Sequence, residues 1–338
     1  ALIMTKRYLG NIITQNPTAP AGPYENGAAS GVWSLAEAFA YSKAGLWPTA
    51  GNAPPQTAIF AGGSAATTNI QTINIATTGN SSGFGSLPDG TASDTAALGS
   101  STRGVIAGGL GSGITNLINY VTFASAGDSL DFGDLTAANV AMVGSSNATR
   151  GLFSGGENAN GTQYITIASL GNAQTFGDLY ANGAYRLSAC ASPTRALVGV
   201  GYPSGAASAE VVYYTIASTG NSTSFGNISS SRRSAAAFSS STRGVFGGGE
   251  AGNGVPQNVI DYFTIASTGN ATDFGDLTVG RAYLSSAAGT TRGVFCGGES
   301  TDVMDFVTIS STGNATDFGD FAYYSNQIFG GASNSHGG

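Results

Sequence analysis

The chain has 338 residues, of which 52 are glycine and only 9% are charged, and its net charge at pH 7 is −7. This composition favours short strands and tight turns over helices. The sequence contains no basic stripe of the kind that binds nucleic acid. No apolar run approaches the roughly 18 residues that cross a bilayer, so we expect neither nucleic-acid binding nor membrane insertion.

The first 56 residues differ from the rest because they contain both tryptophans, both lysines and six of the ten prolines. Within them, GVWSLAEAFAYSKAGLWP predicts one short helix over about residues 35–44. Ser34 can cap its first turn, Gly45 suits the left-handed position after its last turn, and Pro48 prevents continuation. We therefore expect residues 1–56 to form a mostly irregular segment that contains this helix.

Three aromatic residues of this segment, Tyr8, Trp33 and Trp47, are candidates for attachment. A segment this short cannot bury two tryptophans by itself. The rings need either the surface of the following domain or that of another protein, in which case the segment is an assembly anchor. The opening stretch ALIMTKRYLG lacks the apolar core of a secretory signal, so we expect no signal-directed export.

From residue 57 onward the chain repeats a unit of 45–49 residues. Each unit contains an apolar strand ending in Gly-Gly, an alternating strand, an aromatic-Gly strand and a strand of small residues. Four short strands repeated at this period are typical of propeller blades. The six units begin at Thr57, Thr102, Thr149, Thr194, Thr242 and Thr291.

The two ends of the repeat array complement each other. The first unit begins directly with TAIFAGG, without a small-residue strand, and the chain ends with an extra strand, FAYYSNQIFGGAS. We expect this last strand to complete the first blade and so remove an open edge. The sequence thus predicts an all-β fold, a six-bladed β-propeller over residues 57–338 that is closed by its C-terminal strand.

Most of the length variation between units falls in the loop after Gly-Gly, whereas the spacing from the TIA-type motif to the FG phenylalanine is constant. Antiparallel blades place all six of these loops on one face, which is typical of a recognition surface on a rigid scaffold; unconstrained drift is the alternative. Their polar side chains suit ligands such as glycans. The candidate ligand-binding residues are Asn116, Asn158, Asn160, Tyr202, Ser204, Asn253, Gln257 and Asp302.

An arginine recurs at the start of the Gly-Gly strand, and an aspartate recurs after the FG pair. Blade 1 lacks both, with Ala58 and Ser86 at these positions. This joint loss predicts a structural Arg–Asp pair, or hydrogen bonds to turn carbonyls, rather than a functional site. The residues are Arg103, Arg150, Arg195, Arg243 and Arg292 with Asp134, Asp178, Asp276 and Asp320.

Three asparagines, Asn221, Asn270 and Asn314, match the N-x-S/T pattern. They recur at the same Gly-Asn turn of successive units, so we interpret them as turn residues rather than glycosylation sites.

The sequence offers no recognisable catalytic or metal-binding motif. Its one histidine, His336, lies in a Gly-rich tail, and Cys190 and Cys296 form no motif and are expected to be buried small hydrophobes. We therefore expect no enzyme activity, no cofactor and no metal; calcium held by the DFGD acids and a carboxylate pair for cleaving glycans are the alternatives.

The order of the strands resembles the kelch repeat. GRAYLSSAAGTTRGVFCGGESTDVMDFVTI follows that pattern, with Arg281 before the inner strand and Gly297-Gly298 after the second. The sequence departs from it at Phe318, where kelch repeats usually carry tryptophan. The resemblance implies the fold and almost nothing about function.

A second resemblance concerns function. KRYLGNIITQNPTAPAGPYENGAASGVWSLAEAFAYSKAGLWP resembles the lead segment of bacteriophage tail-fibre and virion-surface proteins. The TIASTGNATDFGDL repeats resemble those of virion proteins of marine tailed phages. This implies a multicopy virion component that is assembled in the host cytoplasm, attached to other virion proteins through residues 1–56, and displays its propeller towards host-surface glycans. A decoration or connector protein packed against virion neighbours is the alternative.

Overall fold

The computed structural model divides the chain into two units, Ala1–Pro55 and Gln56–Gly338. The helix expected over 35–44 and the attachment candidates Tyr8, Trp33 and Trp47 lie outside the described residues. The structure describes residues 56–63, 68–88, 93–157, 161–179, 184–299, 301–322 and 329–335.

The regular secondary structure of the described part of the chain consists almost wholly of short strands, grouped into blades. Blade 1 takes β1 (Thr57–Ala61), β2 (Asn69–Asn74) and β3 (Ser82–Ser86). Blade 2 comprises β4 (Ala96–Gly99), β5 (Arg103–Ala107), β6 (Leu117–Thr122) and β7 (Leu130–Asp134). Blade 3 comprises β8 (Val143–Ser146), β9 (Arg150–Ser154), β10 (Gly161–Thr166) and β11 (Gln174–Asp178).

The second half continues in the same order, with one short 3-10 helix at Pro203–Gly205. Blade 4 comprises β12 (Ser188–Ala191), β13 (Arg195–Gly199), β14 (Ser208–Thr215) and β15 (Thr223–Arg233). Blade 5 comprises β16 (Ala236–Ser239), β17 (Arg243–Gly247), β19 (Val259–Thr264) and β20 (Thr272–Asp276), while β18 (Glu250–Ala251) pairs with β15. Blade 6 comprises β21 (Ser285–Ala288), β22 (Arg292–Cys296), β23 (Val303–Thr308) and β24 (Thr316–Asp320), and β25 (Gly330–Ser333) is the last strand.

The residue pattern explains the position of each strand within its blade. The Gly-Gly strands are buried from their second residue onward, the third strands alternate between buried and exposed residues, and the outer strands bury mainly the FG phenylalanine. The innermost strands consist mostly of small residues, as in AALG and SACA, because six of them pack around one axis. Successive strands pair antiparallel throughout each blade.

The closure predicted from the sequence is confirmed. Strand β25 pairs antiparallel with β1, from Ala58 opposite Ser333 to Ala61 opposite Gly330. The side-chain oxygen of Asn334 accepts a hydrogen bond of 3.0 Å from the N–H of Thr57. The fold is therefore a six-bladed β-propeller in which the C-terminal strand completes blade 1.

The FG and GN motifs of the repeat meet at the border between neighbouring blades. A Cβ added to Gly177 would lie 2.1 Å from the carbonyl oxygen of Gly220 in the next blade, so only glycine fits there. One residue later, the N–H of Asp178 donates to the side-chain oxygen of Asn221 over 2.9 Å. The six accepting residues around the ring are Asn80, Asp128, Asn172, Asn221, Asn270 and Asn314. This is the turn role predicted for Asn221, Asn270 and Asn314.

The Arg–Asp pairing expected from the repeat is wrong. Among the described residues, none of the five recurring arginines lies within 4.0 Å of a carboxylate oxygen. Arg103 pairs with Thr122 at one end of the blade, whereas Asp134 pairs with Leu117 at the other end. The two side chains are therefore separated along the sheet, and the structure offers no account of their joint loss in blade 1.

Each recurring arginine instead connects its blade to the next one. The guanidinium of Arg243 lies 4.6 Å from the ring centroid of Tyr262 in its own blade and donates to the carbonyl of Ile309 in the next. The other four repeat this arrangement, Arg292 with a phenylalanine ring. This corresponds to the alternative expectation of bonds to turn carbonyls. The accepting carbonyls are those of Ile167, Ile216, Ile265, Ile309 and Ala76.

Candidate functional site

The antiparallel order of the strands gives the propeller two unlike faces. We call the face that carries the loops between second and third strands, and the crossovers to the next inner strand, the loop face. The opposite face, formed by the turns that join the first to the second and the third to the fourth strand, is the turn face. The structure thereby confirms that the loops of variable length share one face.

Four of the predicted ligand-binding residues occupy three loops of the loop face, with Asn253 and Gln257 in the same loop of blade 5. Asn253 is exposed, but its side-chain oxygen accepts a hydrogen bond from the N–H of Val255. Gln257 likewise donates to carbonyls of its own loop, and Asn116 is half-buried. Asp302 is exposed in blade 6. These four side chains do not converge on one site; two of them shape the loops that carry them.

The other predicted loop residues have different outcomes. Asn158 and Asn160 lie outside the described residues. Ser204 lies in the 3-10 helix, and its side chain is not among those described. Tyr202, by contrast, belongs to a cluster of aromatic and charged side chains.

The axis of the propeller is too narrow for an organic ligand. Two cavities of about 70 and 80 Å³ are lined by the innermost strands, with residues such as Gly144, Ser145 and Ala189. Pockets that hold drug-sized molecules measure about 300–1,000 Å³, whereas the axial space suits a few water molecules. A drug-sized organic molecule therefore does not fit along the axis.

On the loop face, the residues that lead into five of the inner strands have left-handed backbone. They are Asp94, Ala141, Arg186, Ser234 and Tyr283, with φ between 52° and 60°. In this conformation the N–H of each of the last four donates to the carbonyl of the preceding member, over 2.9–3.3 Å. Each non-glycine residue in this conformation costs about 1–3 kcal/mol, and the hydrogen bonds around the axis offset that cost. The ring of bonds fixes the positions of Arg186 and Tyr283.

Six side chains from blades 4 to 6 meet beside this ring. Within this group, Nη1 of Arg186 donates to the hydroxyl of Tyr283 over 2.6 Å. The same nitrogen lies 3.9 Å from Oε1 of Glu250. We call the group the Arg–Tyr cluster. Its members are Tyr185, Arg186, Tyr202, Arg233, Glu250 and Tyr283.

Glu250 connects the members of the Arg–Tyr cluster. Its Oε1 accepts from Nε of Arg233 over 2.6 Å and from the hydroxyl of Tyr283 over 3.2 Å. The guanidinium of Arg233 lies 4.4 Å from the ring centroid of Tyr202, and that ring packs edge-on against Tyr185 at 5.4 Å. These contacts hold two cations and three aromatic rings in a fixed arrangement.

The electrostatics of the cluster follow from partial burial. The Arg186 side chain is 31% exposed, Arg233 is 19% exposed and Glu250 is 8% exposed. Burial lowers the pKa of Arg233, but the hydrogen bond and charge of Glu250 outweigh it and raise the pKa above its usual value. Burial also raises the pKa of Tyr283. With two arginines and one glutamate, the cluster has a formal charge of +1.

Two buried ion pairs anchor the chain segments that carry the cluster. Arg232, next to Arg233, bonds Asp261 through Nη2 over 2.6 Å, and neither side chain is accessible to solvent. Arg281, two residues before Tyr283, bonds Asp305 over 2.7 Å in the same way. Burial lowers the pKa of both arginines, and the facing carboxylate partly offsets this. Both crossovers are thus fixed beneath the loop face.

The sequence predicted only Tyr202 among the cluster residues. Arg186, Arg233 and Tyr283 lie in or beside the crossovers between blades, whereas most of the length variation between units falls in the loops after Gly-Gly. The crossovers AYRL, SRRS and RAYL carry arginine and tyrosine, which the corresponding segments before blades 2 and 3, ASDT and NVAM, lack. Because only 9% of the residues are charged, this grouping of arginine and tyrosine in three crossovers was the feature of the sequence that could have indicated the cluster.

Neither a metal centre nor a membrane span is found in the described part of the chain. No group of three or more His, Cys, Asp or Glu side chains comes together there. Both cysteines are buried and unpaired, as expected of small core residues. Among the described residues, no helix has the length and apolar character needed to cross a bilayer.

Comparison with known proteins gives no assignment: no protein-family model matches the chain, and no curated protein sequence matches it.

Proposed function

We propose that this protein is a non-enzymatic virion component of a tailed bacteriophage whose loop face contacts saccharides of the host surface. The Arg–Tyr cluster is the observation that carries the proposal. It gathers two of the chain's few cations with three aromatic rings on the face whose loops vary, above a rigid ring. The phage context is supported by the resemblance of the N-terminal segment and of the repeats.

The turn face differs from the loop face in that its repeated polar groups join neighbouring blades. Its arginines and the GN turns at the blade borders repeat from blade to blade and use their polar groups to join neighbours. Side chains already engaged in holding the ring together are poor candidates for a ligand. Display of many copies on a particle would turn weak affinity at each loop face into useful avidity.

The cluster chemistry favours binding over glycoside cleavage. Most glycosidases need two carboxyl groups on either side of the scissile bond. The Arg–Tyr cluster contains a single carboxylate, Glu250, and its Oε1 is bonded to Arg233 and Tyr283.

Exposed apolar residues favour the second candidate, a connector that packs against other virion proteins. Leu110, Ile114, Val255 and Val279 are 36–50% exposed and belong to loops or crossovers of the loop face. In that case virion neighbours cover this face. Covalent labelling of the assembled particle distinguishes the two functions, because a connector has a protected loop face and a recognition protein has an accessible one.

The full chain, tetramerised through a terminal tag, tests the proposal on bacterial cells and on immobilised envelope polysaccharide. We expect binding that is lost when residues 202–209 and 250–257 are each replaced by a short Gly-Ser turn. The matched control changes Leu170 to Ser; Leu170 is 57% exposed on the turn face, so this variant should bind normally. Equal binding by the loop-replaced and control variants would exclude the loop face as the recognition surface.

A further inference from the structure

Arg186 has hydrogen-bonding capacity that no described residue of the protein uses. Among the described residues only its Nη1 has a hydrogen-bond partner, the hydroxyl of Tyr283. The Nε–Nη2 edge is the side of a guanidinium that pairs with a planar anion through two parallel hydrogen bonds. Because the side chain is 31% exposed and its backbone is fixed by the left-handed ring, this edge is held in place and is accessible.

The charge balance of the cluster limits the ligand to a single negative charge. Arg186 and Arg233 bring two positive charges, and Glu250, bonded to Arg233, removes one. The remaining charge suits a monoanion. A phosphate monoester carries about −1.5 to −2 at pH 7 and would leave excess negative charge beside the mostly buried Glu250.

The aromatic rings add a surface of the right kind next to the cation. Tyr185 and Tyr202 are partly exposed and pack edge to face at 5.4 Å, and both contact the cluster arginines. Rigid amphipathic rings that combine an apolar face with a hydroxyl are typical of sites that orient polar ligands. A sugar ring could contact these tyrosines while its charged substituent reaches Arg186.

We infer that the Arg–Tyr cluster is a subsite for a saccharide that carries one anionic substituent, a carboxylate or a sulfate ester. The inference rests on the proposed function, because it specifies the ligand class of the loop face. Recognition depends on the free edge of Arg186, on the charge of Arg233 and on the tyrosine rings. Glu250 holds Arg233 in place and keeps the net charge at one.

The test uses the full chain on a glycan array that prints uronic-acid, sialic-acid and sulfated oligosaccharides beside their carboxyl-reduced or desulfated parents. We expect the acidic members to bind and the neutral parents to bind at least about tenfold more weakly, since the neutral parents lack the charge-assisted hydrogen bonds to Arg186. The carboxylated and sulfated sets show which of the two substituents is recognised. Equal binding of acidic and neutral parents, or no binding by any acidic member, overturns the inference.

Substitutions assign the binding to the cluster. Arg186→Gln should weaken binding of the acidic oligosaccharide about tenfold, and Arg292→Gln is the matched control. Arg292 also lies over an aromatic ring, Phe306, but is on the turn face, so nonspecific attraction of a polyanion would fall equally in both variants. Equal loss in the two variants overturns the inference.

Glu250→Gln separates ligand binding from a structural role. Removal of the carboxylate raises the positive charge of the site, so an anionic ligand should bind about threefold more tightly. A purely structural cluster would instead lose binding in this variant. The variant also keeps the inference testable if Arg186→Gln fails to fold.

The experiments can disprove the anionic subsite and the proposed function independently. If replacement of the two loops abolishes cell binding while Arg186→Gln binds normally, the loop face is the recognition surface and the anionic subsite is wrong. If loop replacement has no effect on cell binding, the proposed function itself is wrong.

Discussion

Arg232 and Asp261 form an ion pair of 2.6 Å in which both side chains are inaccessible to solvent. The same carboxylate oxygen accepts from the hydroxyl of Ser229, at the end of the preceding blade. Asp261 thus connects the crossover between blades 4 and 5 to the third strand of blade 5. Arg281 and Asp305 repeat the arrangement one blade later.

Loss of one partner of this pair should be costly. We expect Asp261→Ala to lower the free energy of unfolding by about 3–5 kcal/mol, because Arg232 is left charged and buried. The double variant Arg232→Met, Asp261→Leu should recover most of that loss, since neither charge then needs a partner. Urea denaturation measures both. A double variant as unstable as Asp261→Ala would show that the charge is not the cause.

The close approach of the FG and GN motifs gives a second prediction. A Cβ on Gly85 would lie 1.9 Å from the carbonyl oxygen of Gly127, whereas one on Gly83, two residues earlier, would meet nothing within 4 Å. We expect Gly85→Ala to cost about 1–3 kcal/mol and Gly83→Ala to change stability by less than about 0.5 kcal/mol. Thermal unfolding of the two variants compares them directly, and equal midpoints would contradict the explanation of the motif.

Closure of the ring by β25 gives a third prediction. A chain that ends at residue 322 leaves the edge of β1 unpaired and exposes Ile59 and Phe60, which are buried at 0–1%. We expect a loss of about 5 kcal/mol or more, which lowers the Tm by about 10 °C, and self-association through the free edge. Light scattering and thermal unfolding test this. A monomer with an unchanged Tm would mean that the last strand is dispensable.

Alkaline pH should destabilise the fold through buried groups that resist ionisation. Burial raises the pKa of the Cys190 and Cys296 thiols above the ordinary value of 9.0, and it raises the pKa of Tyr214 to about 12. Because each folded-state pKa exceeds the unfolded one, the stabilisation is complete below the unfolded pKa and is lost as pH rises towards the folded one. The free energy of unfolding should therefore fall from about pH 9.

Replacement of the thiols separates their contribution from that of the tyrosine. In the variant Cys190→Ala, Cys296→Ala, the decline should begin near the ordinary tyrosine pKa of 10.0 instead. Denaturation at several pH values between 8 and 11 measures the onset, and the same onset in both proteins would rule out the thiols.

The fold could be predicted because its signals are local and repeated. The unit beginning at Thr57 lacks an inner strand, and the surplus strand at the end of the chain has no blade of its own, so closure followed from the order of strands alone. The runs of small residues predicted which strands are innermost, and these strands pack against one another around the axis.

The partners of individual polar residues were harder to predict because they lie in neighbouring blades. The joint absence of Arg and Asp from blade 1 suggested a pair, but the register places Arg103 and Asp134 at opposite ends of their blade. The arginine–aspartate pairs that the structure does contain vary together more clearly from blade to blade. Where the crossover carries Arg232 or Arg281, the third strand carries Asp261 or Asp305. Blade 4 has Ala184 and Val212 at the same two positions.

The Arg–Tyr cluster could not be derived from spacing along the chain. Arg186, Glu250 and Tyr283 are contributed by three successive blades, and they meet only when these blades pack side by side and the left-handed residues position Arg186 and Tyr283. Sequence comparison between repeats finds what the blades share, whereas this site consists of what three of them do not share.

Hydrogen exchange of the full chain, with and without the acidic oligosaccharide that gives the strongest array signal, is the most direct test of the loop face as the recognition surface. We expect slower amide exchange in the loop-face segments 184–187, 202–208, 232–234 and 250–257, and no change in turn-face segments such as 217–222 and 266–271. Slower exchange confined to the turn face, or no change in any loop-face segment while the ligand is bound, would contradict the account.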